Sequence, residues 1–281
     1  MSIVATLRAA GCVFAEEEAE LILSTADGLG EAAAMAERRA SGLPLEHVLG
    51  WAGFCGLRIA VGPGVFVPRR RTELLAAHAA RLLPPGGTAV DLCCGSGALG
   101  AVLAARTTGE VHAADLDPTA VVWARRNLEP LGAHVHQGDL YAALPPRLRG
   151  RVDVLAANVP YVPTGEVPLL PAEAREHEPL LSLDGGDDGL GVLRRVAAGA
   201  PGWLAPGGTL LSETGEHQAE AALAAFAAAG LDARLVEDDE TGATVVMGTR
   251  EGPAPHSSAV SARSQGDGGA APSSGSRFVA E

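Results

Sequence analysis

The sequence predicts an α/β fold: a seven-stranded, doubly wound, mostly parallel sheet preceded by a small N-terminal helical domain. Three observations predict it. Short apolar runs alternate with helical stretches through the middle of the chain, a glycine loop follows the first of those runs, and the last two runs are joined by a turn too short for a helix. Length agrees, since 281 residues suit one large domain with a smaller one attached.

Residues 1–52 read as a helical cap domain. A Glu-rich start at Glu16 leads into Leu21, Ile22 and Leu23, and a second helix runs from Glu31 to Arg39 before Gly42 and Pro44. Residues 53–68 read as a β-hairpin connector, with Leu57, Ile59 and Val61 alternating before a turn at Gly62-Pro63-Gly64 and a return through Val65-Phe66-Val67. Residues 69–250 hold the sheet. After a helix from Thr72 to Leu83, parallel strands are expected at Thr88 to Leu92, Val111 to Ala114, His134 to Gln137, Val152 to Ala157 and Thr209 to Ser212. Ala233 to Val236 and Thr244 to Gly248 should form an antiparallel hairpin at one edge, because Glu237 to Gly242 leaves no room for a helix. Residues 251–281, rich in Gly, Ser, Ala and Pro, are expected to be a disordered tail without a site.

Composition narrows the function classes. Apolar residues make up 47% of the chain and aromatic residues 4%, which leaves the core to Ala, Val and Leu. A formal charge of -13 repels polyanions, so stable nucleic-acid binding is not expected. Every basic side chain is Arg, a compositional bias that says little about chemistry. Cys12, Cys55, Cys93 and Cys94 lack the paired spacing of a zinc site, so no metal is expected and a reducing compartment fits. The chain shows no targeting segment and no apolar run long enough for a membrane span, which points to the cytoplasm. A monomer is expected, since the acidic composition offers no obvious apolar seam.

The glycine loop carries the first functional signal. Asp91-Leu92-Cys93-Cys94-Gly95-Ser96-Gly97 leads from strand to helix, and Gly95 to Gly100 satisfies G-x-G-x-x-G, with Asp115 at the end of the next strand. A dinucleotide fits that pattern, yet a carboxylate at the mouth of the loop, Asp91, repels a pyrophosphate and suits a ligand bearing an ammonium and a sulfonium. S-adenosylmethionine is such a ligand. Asp115 can accept ribose hydroxyls, and Gly138-Asp139-Leu140 offers a further carboxylate and an apolar side chain where an adenine would lie. The plainer alternative is a strand-to-helix turn with incidental acids.

Asn158-Val159-Pro160-Tyr161 ends the fourth expected strand, where open α/β sheets bind their ligands. An amide nitrogen is a poor nucleophile because its lone pair is delocalised, and acceptors aimed at its N–H groups orient it and stabilise developing positive charge. The Asn158 side-chain oxygen and the Val159 carbonyl can be those acceptors; Pro160 stiffens the turn and Tyr161 can lie against a flat group. A turn with a capping Asn and a half-buried Tyr is the alternative.

From about residue 38 to residue 249 the chain resembles the release-factor glutamine N5-methyltransferase family, HemK-like or PrmC-like, within the class I methyltransferases. Gly42, Pro44, Val48, Gly50 and Phe54 resemble its interdomain stretch. Val65-Phe66-Val67-Pro68-Arg69 through Thr72-Glu73 resembles its I-P-R-P-x-T-E signature, and Glu178-Pro179 through Gly189-Leu190 its E-P-x-x-A-L-x-G-G-x-x-G-L segment. The resemblance implies that Cys93 to Gly97, Asp115, Leu140 and Asn158 contact S-adenosylmethionine. It further implies that Asn158 to Tyr161 hold an acceptor glutamine in the Gly-Gly-Gln loop of a peptide-chain release factor. Three departures stand out: Val159 replaces a proline of N-P-P-Y, Cys93 replaces the first loop glycine, and Arg70 and Arg71 replace a proline and an acid. Arg69 to Arg71 then form a basic patch, read as a solvated corner for at least two of the three, or else as a contact for a carboxylate or phosphate. An enzyme acting on exocyclic amines of RNA or DNA, a cofactor-binding protein without catalysis, and an NAD enzyme are the rival readings.

Overall fold

The computed structural model describes residues 2–252, so most of the tail expected at residues 251–281 lies outside the described residues. Four helices open the chain: α1 (Ile3–Ala9), α2 (Ala15–Thr25), α3 (Leu29–Ala40) and α4 (Leu45–Leu49). They pack around Leu7, Ile22, Ala32, Met35 and Val48, a small core of their own. Burying the Leu, Ile, Met and Val side chains among them is worth about 2 kcal/mol each. Arg39 closes the unit from inside, its guanidinium bonding the nearly buried Glu18 at 2.8 and 3.2 Å.

A two-stranded hairpin, β1 (Trp51–Phe54) and β2 (Leu57–Ala60), follows. Its turn is not the expected Gly62-Pro63-Gly64 but Cys55-Gly56, both in the left-handed region at φ 49° and 76°. Two consecutive positive φ angles match the right-handed twist of the flanking strands, which makes a two-residue turn sufficient. The Gly62 turn exists, closed by Val65 N–H on the Gly62 carbonyl at 3.3 Å, but it joins no strands. Gly62 lies against the Trp123 ring, where a Cβ would come within 2.4 Å, and Val65 to Val67 run on along the ligand pocket instead of pairing back.

The remaining strands form one seven-stranded sheet: β3 (Ala89–Leu92), β4 (Val111–Asp115), β5 (His134–Gln137), β6 (Val152–Ala157), β7 (Leu204–Thr214), β8 (Leu231–Asp238) and β9 (Ala243–Arg250). Their spatial order is β5-β4-β3-β6-β7-β9-β8, parallel except for β9, which runs antiparallel to both its neighbours. The seven-stranded, mostly parallel expectation therefore holds, with the last hairpin at one edge. β3 is buried along its length and edge strand β5 is partly exposed, as a doubly wound sheet requires.

Helices cover both faces. α5 (Glu73–Leu82), α6 (Ala98–Ala104) and α7 (Pro118–Leu128) bury Leu75, Leu103 and Leu128 on one side; α9 (Gly191–Gly199) and α10 (Ala219–Ala228) bury Leu193 and Phe226 with Leu155 and Trp203 on the other. A short helix, α8 (Ala172–His177), belongs to the long segment after β6. From β3 the chain winds outward through β4 to β5 and then returns to β6 on the other side of β3. That reversal leaves a crevice at the C-terminal ends of β3 and β6.

Candidate active site

Both sequence motifs open into this crevice, and one continuous pocket joins them. Cys93, Cys94, Gly95, Ser96, Asp115, Asp139, Leu140 and Arg195 line one end; Phe54, Val65, Phe66, Thr72, Asn158, Val159, Pro160, Tyr161 and Leu181 line the other. At the first end Gly97 starts α6 at φ 81°, and a Cβ there would sit 2.8 Å from Leu128, so only glycine lets the loop bend this tightly against α7. Cys93 takes a left-handed φ of 55° without being glycine, which costs roughly 1–2 kcal/mol. Leu140 is held similarly at φ 47°.

Asp91 does not stand at the mouth of the loop, as expected, but fully buried beneath it. Its Oδ2 accepts from Gly100 N–H at 2.8 Å, while Oδ1 has no partner among the described residues. Burial pushes its carboxyl up to about 7; the Gly100 N–H opposes this and the neighbouring Asp115 charge adds to it. Asp115 accepts from Gly95 N–H at 2.8 Å and Asp117 N–H at 2.9 Å, and each oxygen retains a lone pair for a hydroxyl. Asp139 pairs with Arg195 at 2.5 Å.

At the other end, Asn158 Nδ2 donates to the Thr72 hydroxyl at 3.4 Å, and Oδ1 is buried without a partner among the described residues. An unsatisfied buried amide oxygen costs about 1–3 kcal/mol, which an incoming N–H recovers. Tyr161 is fixed at two points: its hydroxyl donates to Glu213 Oε1 at 2.9 Å, and its carbonyl accepts from Gln218 Nε2 at 2.8 Å. Gly185 and Gly189 press on the same turn, where Cβ atoms would come within 2.7 Å of the Pro160 carbonyl and 2.2 Å of the Tyr161 carbonyl. That close approach explains the glycines of the E-P segment.

The basic patch is not a solvated corner. Arg69 bonds both oxygens of buried Glu178 at 2.6 Å, and Glu178 Oε1 also accepts from Val67 N–H at 3.1 Å. Arg71 pairs with buried Glu213 at 2.6 Å. Only Arg70 is largely in solvent, 82% exposed. Both pairings place a carboxylate in the interior that sequence reading leaves without a partner, so the arginines stand where burial demands a counter-charge. Glu213 and Gln218, which hold Tyr161, are not revealed by motif spacing, although an acid near the end of the buried strand β7 is a signal that a cation must meet it; Thr72, which the signature contains, is brought to Asn158.

The comparisons with known proteins agree with this geometry. The methyltransferase small domain family matches residues 56–169. The release factor glutamine methyltransferase of Geobacter sulfurreducens is 38% identical over 218 residues, covering 76% of each chain. The chain belongs to the release factor glutamine methyltransferase family. The family enzyme of Mycolicibacterium smegmatis is 37% identical over 241 residues, 79% of this chain and 85% of its own. A further relative, the 4-amino-L-phenylalanine/4-methylamino-L-phenylalanine methyltransferase of Streptomyces pristinaespiralis, is 40% identical over 69% of this chain and 68% of its own. A methyltransferase of Pyrococcus furiosus has the same fold, at a TM-score of 0.54 over 79% of this chain and 100% of that one, with 16% identity. Among the described residues no helix is long and apolar enough to cross a membrane, and no acid, His or Cys cluster can hold a metal ion.

Proposed function

We propose that the protein transfers a methyl group from S-adenosylmethionine to the side-chain amide nitrogen of a protein glutamine, the glutamine of the Gly-Gly-Gln loop of a peptide-chain release factor. The observation that carries the reading is the contrast in charge along one pocket. The lining near the glycine loop holds Asp115, Asp139 and Arg195 with Asp91 beneath it, whereas the lining from Phe54 through Thr72 and from Asn158 to Val162 contains no Asp, Glu, Arg or His. A neutral, planar amide fits that second end.

The unpartnered Asp91 Oδ1 and the glycine loop suit a ligand with an ammonium and a sulfonium, with Asp115 for ribose hydroxyls and Leu140 for the adenine. When bound, S-adenosylmethionine supplies an electrophilic methyl. The chain's own work is orientation: Asn158 Oδ1 accepts one amide N–H, the Val159 carbonyl accepts the other, and Pro160 with Tyr161 confines the amide plane. As the N–C bond forms and the S–C bond breaks, both acceptors stabilise the positive charge gathering on nitrogen, and the methylated amide then releases one proton to water. Val159 in place of proline keeps the carbonyl and leaves its φ to packing; the side chain is 2% exposed and set by its neighbours.

The free amino acid named for the Streptomyces pristinaespiralis relative carries an ammonium and a carboxylate, which the acceptor end has no free charge to receive. A nucleotide phosphate meets the same obstacle. Mass spectrometry on unmethylated release factor incubated with protein and S-adenosylmethionine tests the reading, with Asn158→Ala as the control. One methyl on the Gly-Gly-Gln glutamine, absent with the variant, is expected; an unmodified glutamine with methyl on another acceptor sinks it.

A further inference from the structure

Glu213, the penultimate residue of β7, has a side chain only 1% exposed, and among the described residues its ion-pair partner is Arg71. The contact is made by the guanidinium Nε, 2.6 Å from Glu213 Oε1. The same oxygen accepts the Tyr161 hydroxyl proton at 2.9 Å, a terminal nitrogen of Arg71 donates to that hydroxyl, and the guanidinium carbon lies 5.1 Å from the Tyr161 ring centroid. Arginine, carboxylate and phenol therefore close a triangle in which each member touches the other two. Gln218 holds the Tyr161 carbonyl, and Arg71, by pairing with Glu213 and donating to the same hydroxyl, helps hold the ring.

Arg71 is one of the departures noted from the signature this segment resembles. A carboxylate at 71 in this geometry would face Glu213 with like charge. Lysine does not substitute either: a point charge neutralises Glu213 but lacks the planar fork that reaches carboxylate and phenol together and lies against the ring.

We propose that Arg71 is a positioning residue for methyl transfer, acting through Tyr161 to fix the surface against which the acceptor amide lies. The proposal rests on the reading that this end of the pocket holds the amide. Arg71 is absent from the pocket lining itself, so its effect falls on turnover through geometry and leaves cofactor binding untouched.

The test uses the full chain in five forms: wild type, Arg71→Lys, Tyr161→Phe, the charge-neutral pair Arg71→Met with Glu213→Gln, and that pair combined with Tyr161→Phe. Arg71→Lys keeps the melting temperature within about 3 °C while kcat on a Gly-Gly-Gln peptide falls about 10- to 100-fold and KM for S-adenosylmethionine stays unchanged. The neutral pair, which leaves no buried charge unpaired, loses kcat to the same degree. In the Tyr161→Phe background the neutral pair costs less than about twofold, because the hydroxyl by which Arg71 and Glu213 hold the ring is gone. Wild-type kcat in Arg71→Lys, or losses that multiply in the combined variant, overturns the proposal. A readout independent of the acceptor accompanies it. The chain has two tyrosines, so 3-fluorotyrosine labelling gives two ¹⁹F resonances. Arg71→Lys is expected to move the Tyr161 resonance and leave that of Tyr141 in place. A wild type inactive on glutamine but with this shift overturns the glutamine reading alone, and an unmoved Tyr161 resonance overturns the role of Arg71.

Discussion

The two ends of the pocket are built by opposite strategies. The end at β3 carries charge and is assembled largely from residues close together in sequence: the loop from Cys93 to Ser96 follows β3, with Asp91 buried beneath it, Asp115 ends β4 and Asp139 follows β5. The acceptor end presents no Asp, Glu, Arg or His to the ligand, and its charges are paired behind the lining: Arg69 with Glu178, Arg71 with Glu213. These partners are 109 and 142 residues apart. A cationic cofactor needs an unspent carboxylate; a neutral amide needs a site from which stray charge has been removed.

Substitutions at the two ends break this contrast in different ways. The largest effect is expected at Asn158→Ala, which removes the buried free oxygen: kcat falls about 100- to 1000-fold, with Thr72→Val, which frees Nδ2, causing a smaller loss of about 10-fold. Steady-state kinetics on a glutamine peptide measures both. At the other end, if Asp91 receives the ammonium as proposed, cofactor binding is expected to be pH-dependent. Its carboxyl, raised to about 7, must lose its proton before pairing with an ammonium, so affinity weakens as pH falls below about 7, by up to about tenfold per pH unit. Titration calorimetry should show that slope in the wild type and none in Asp91→Asn. The sign for stability is the reverse. The folded, unliganded protein holds the proton that the unfolded chain has already lost, so stability drops as pH rises from about 4 to 7, and Asp91→Asn is the more stable unliganded form at pH 8.

Two smaller effects sharpen the comparison. Glu178→Gln leaves Arg69 without its counter-charge; because Arg69 is 36% exposed, water screens part of the loss, and urea unfolding should show about 2 kcal/mol of destabilisation. Cys93→Gly relieves the left-handed backbone at some entropic cost and is expected to stabilise by up to about 1 kcal/mol, with cofactor affinity retained. A Cys93→Gly protein less stable than wild type contradicts the strain assigned to that loop.

The same contrast decides what was legible in the sequence. The seven strands, the glycine loop, Asp115 and the turn from Asn158 to Tyr161 were legible because each is a local pattern: period, turn residues, or an acid at a strand end. The hairpin turn was misplaced because Gly-Pro-Gly is the stronger turn composition, whereas Cys55-Gly56 becomes a turn through pairing of Ala52 with Ile59 and a bond from Cys55 N–H to Glu73 at 2.7 Å. Sequence spacing puts Asp91 at the loop mouth because spacing does not reveal depth. Arg69 and Arg71 read as solvent-facing because nothing near them in sequence asks for a cation; Glu178 and Glu213 do, and only folding brings them together.

The claim that the acceptor end admits a neutral amide is tested most directly by competition. Wild-type protein is given S-adenosylmethionine labelled on the methyl, with equal amounts of a Gly-Gly-Gln peptide, the same peptide with Gln→Glu, and free 4-amino-L-phenylalanine. The account predicts label on the glutamine peptide alone. Label on the free amino acid in preference to the glutamine peptide would contradict it.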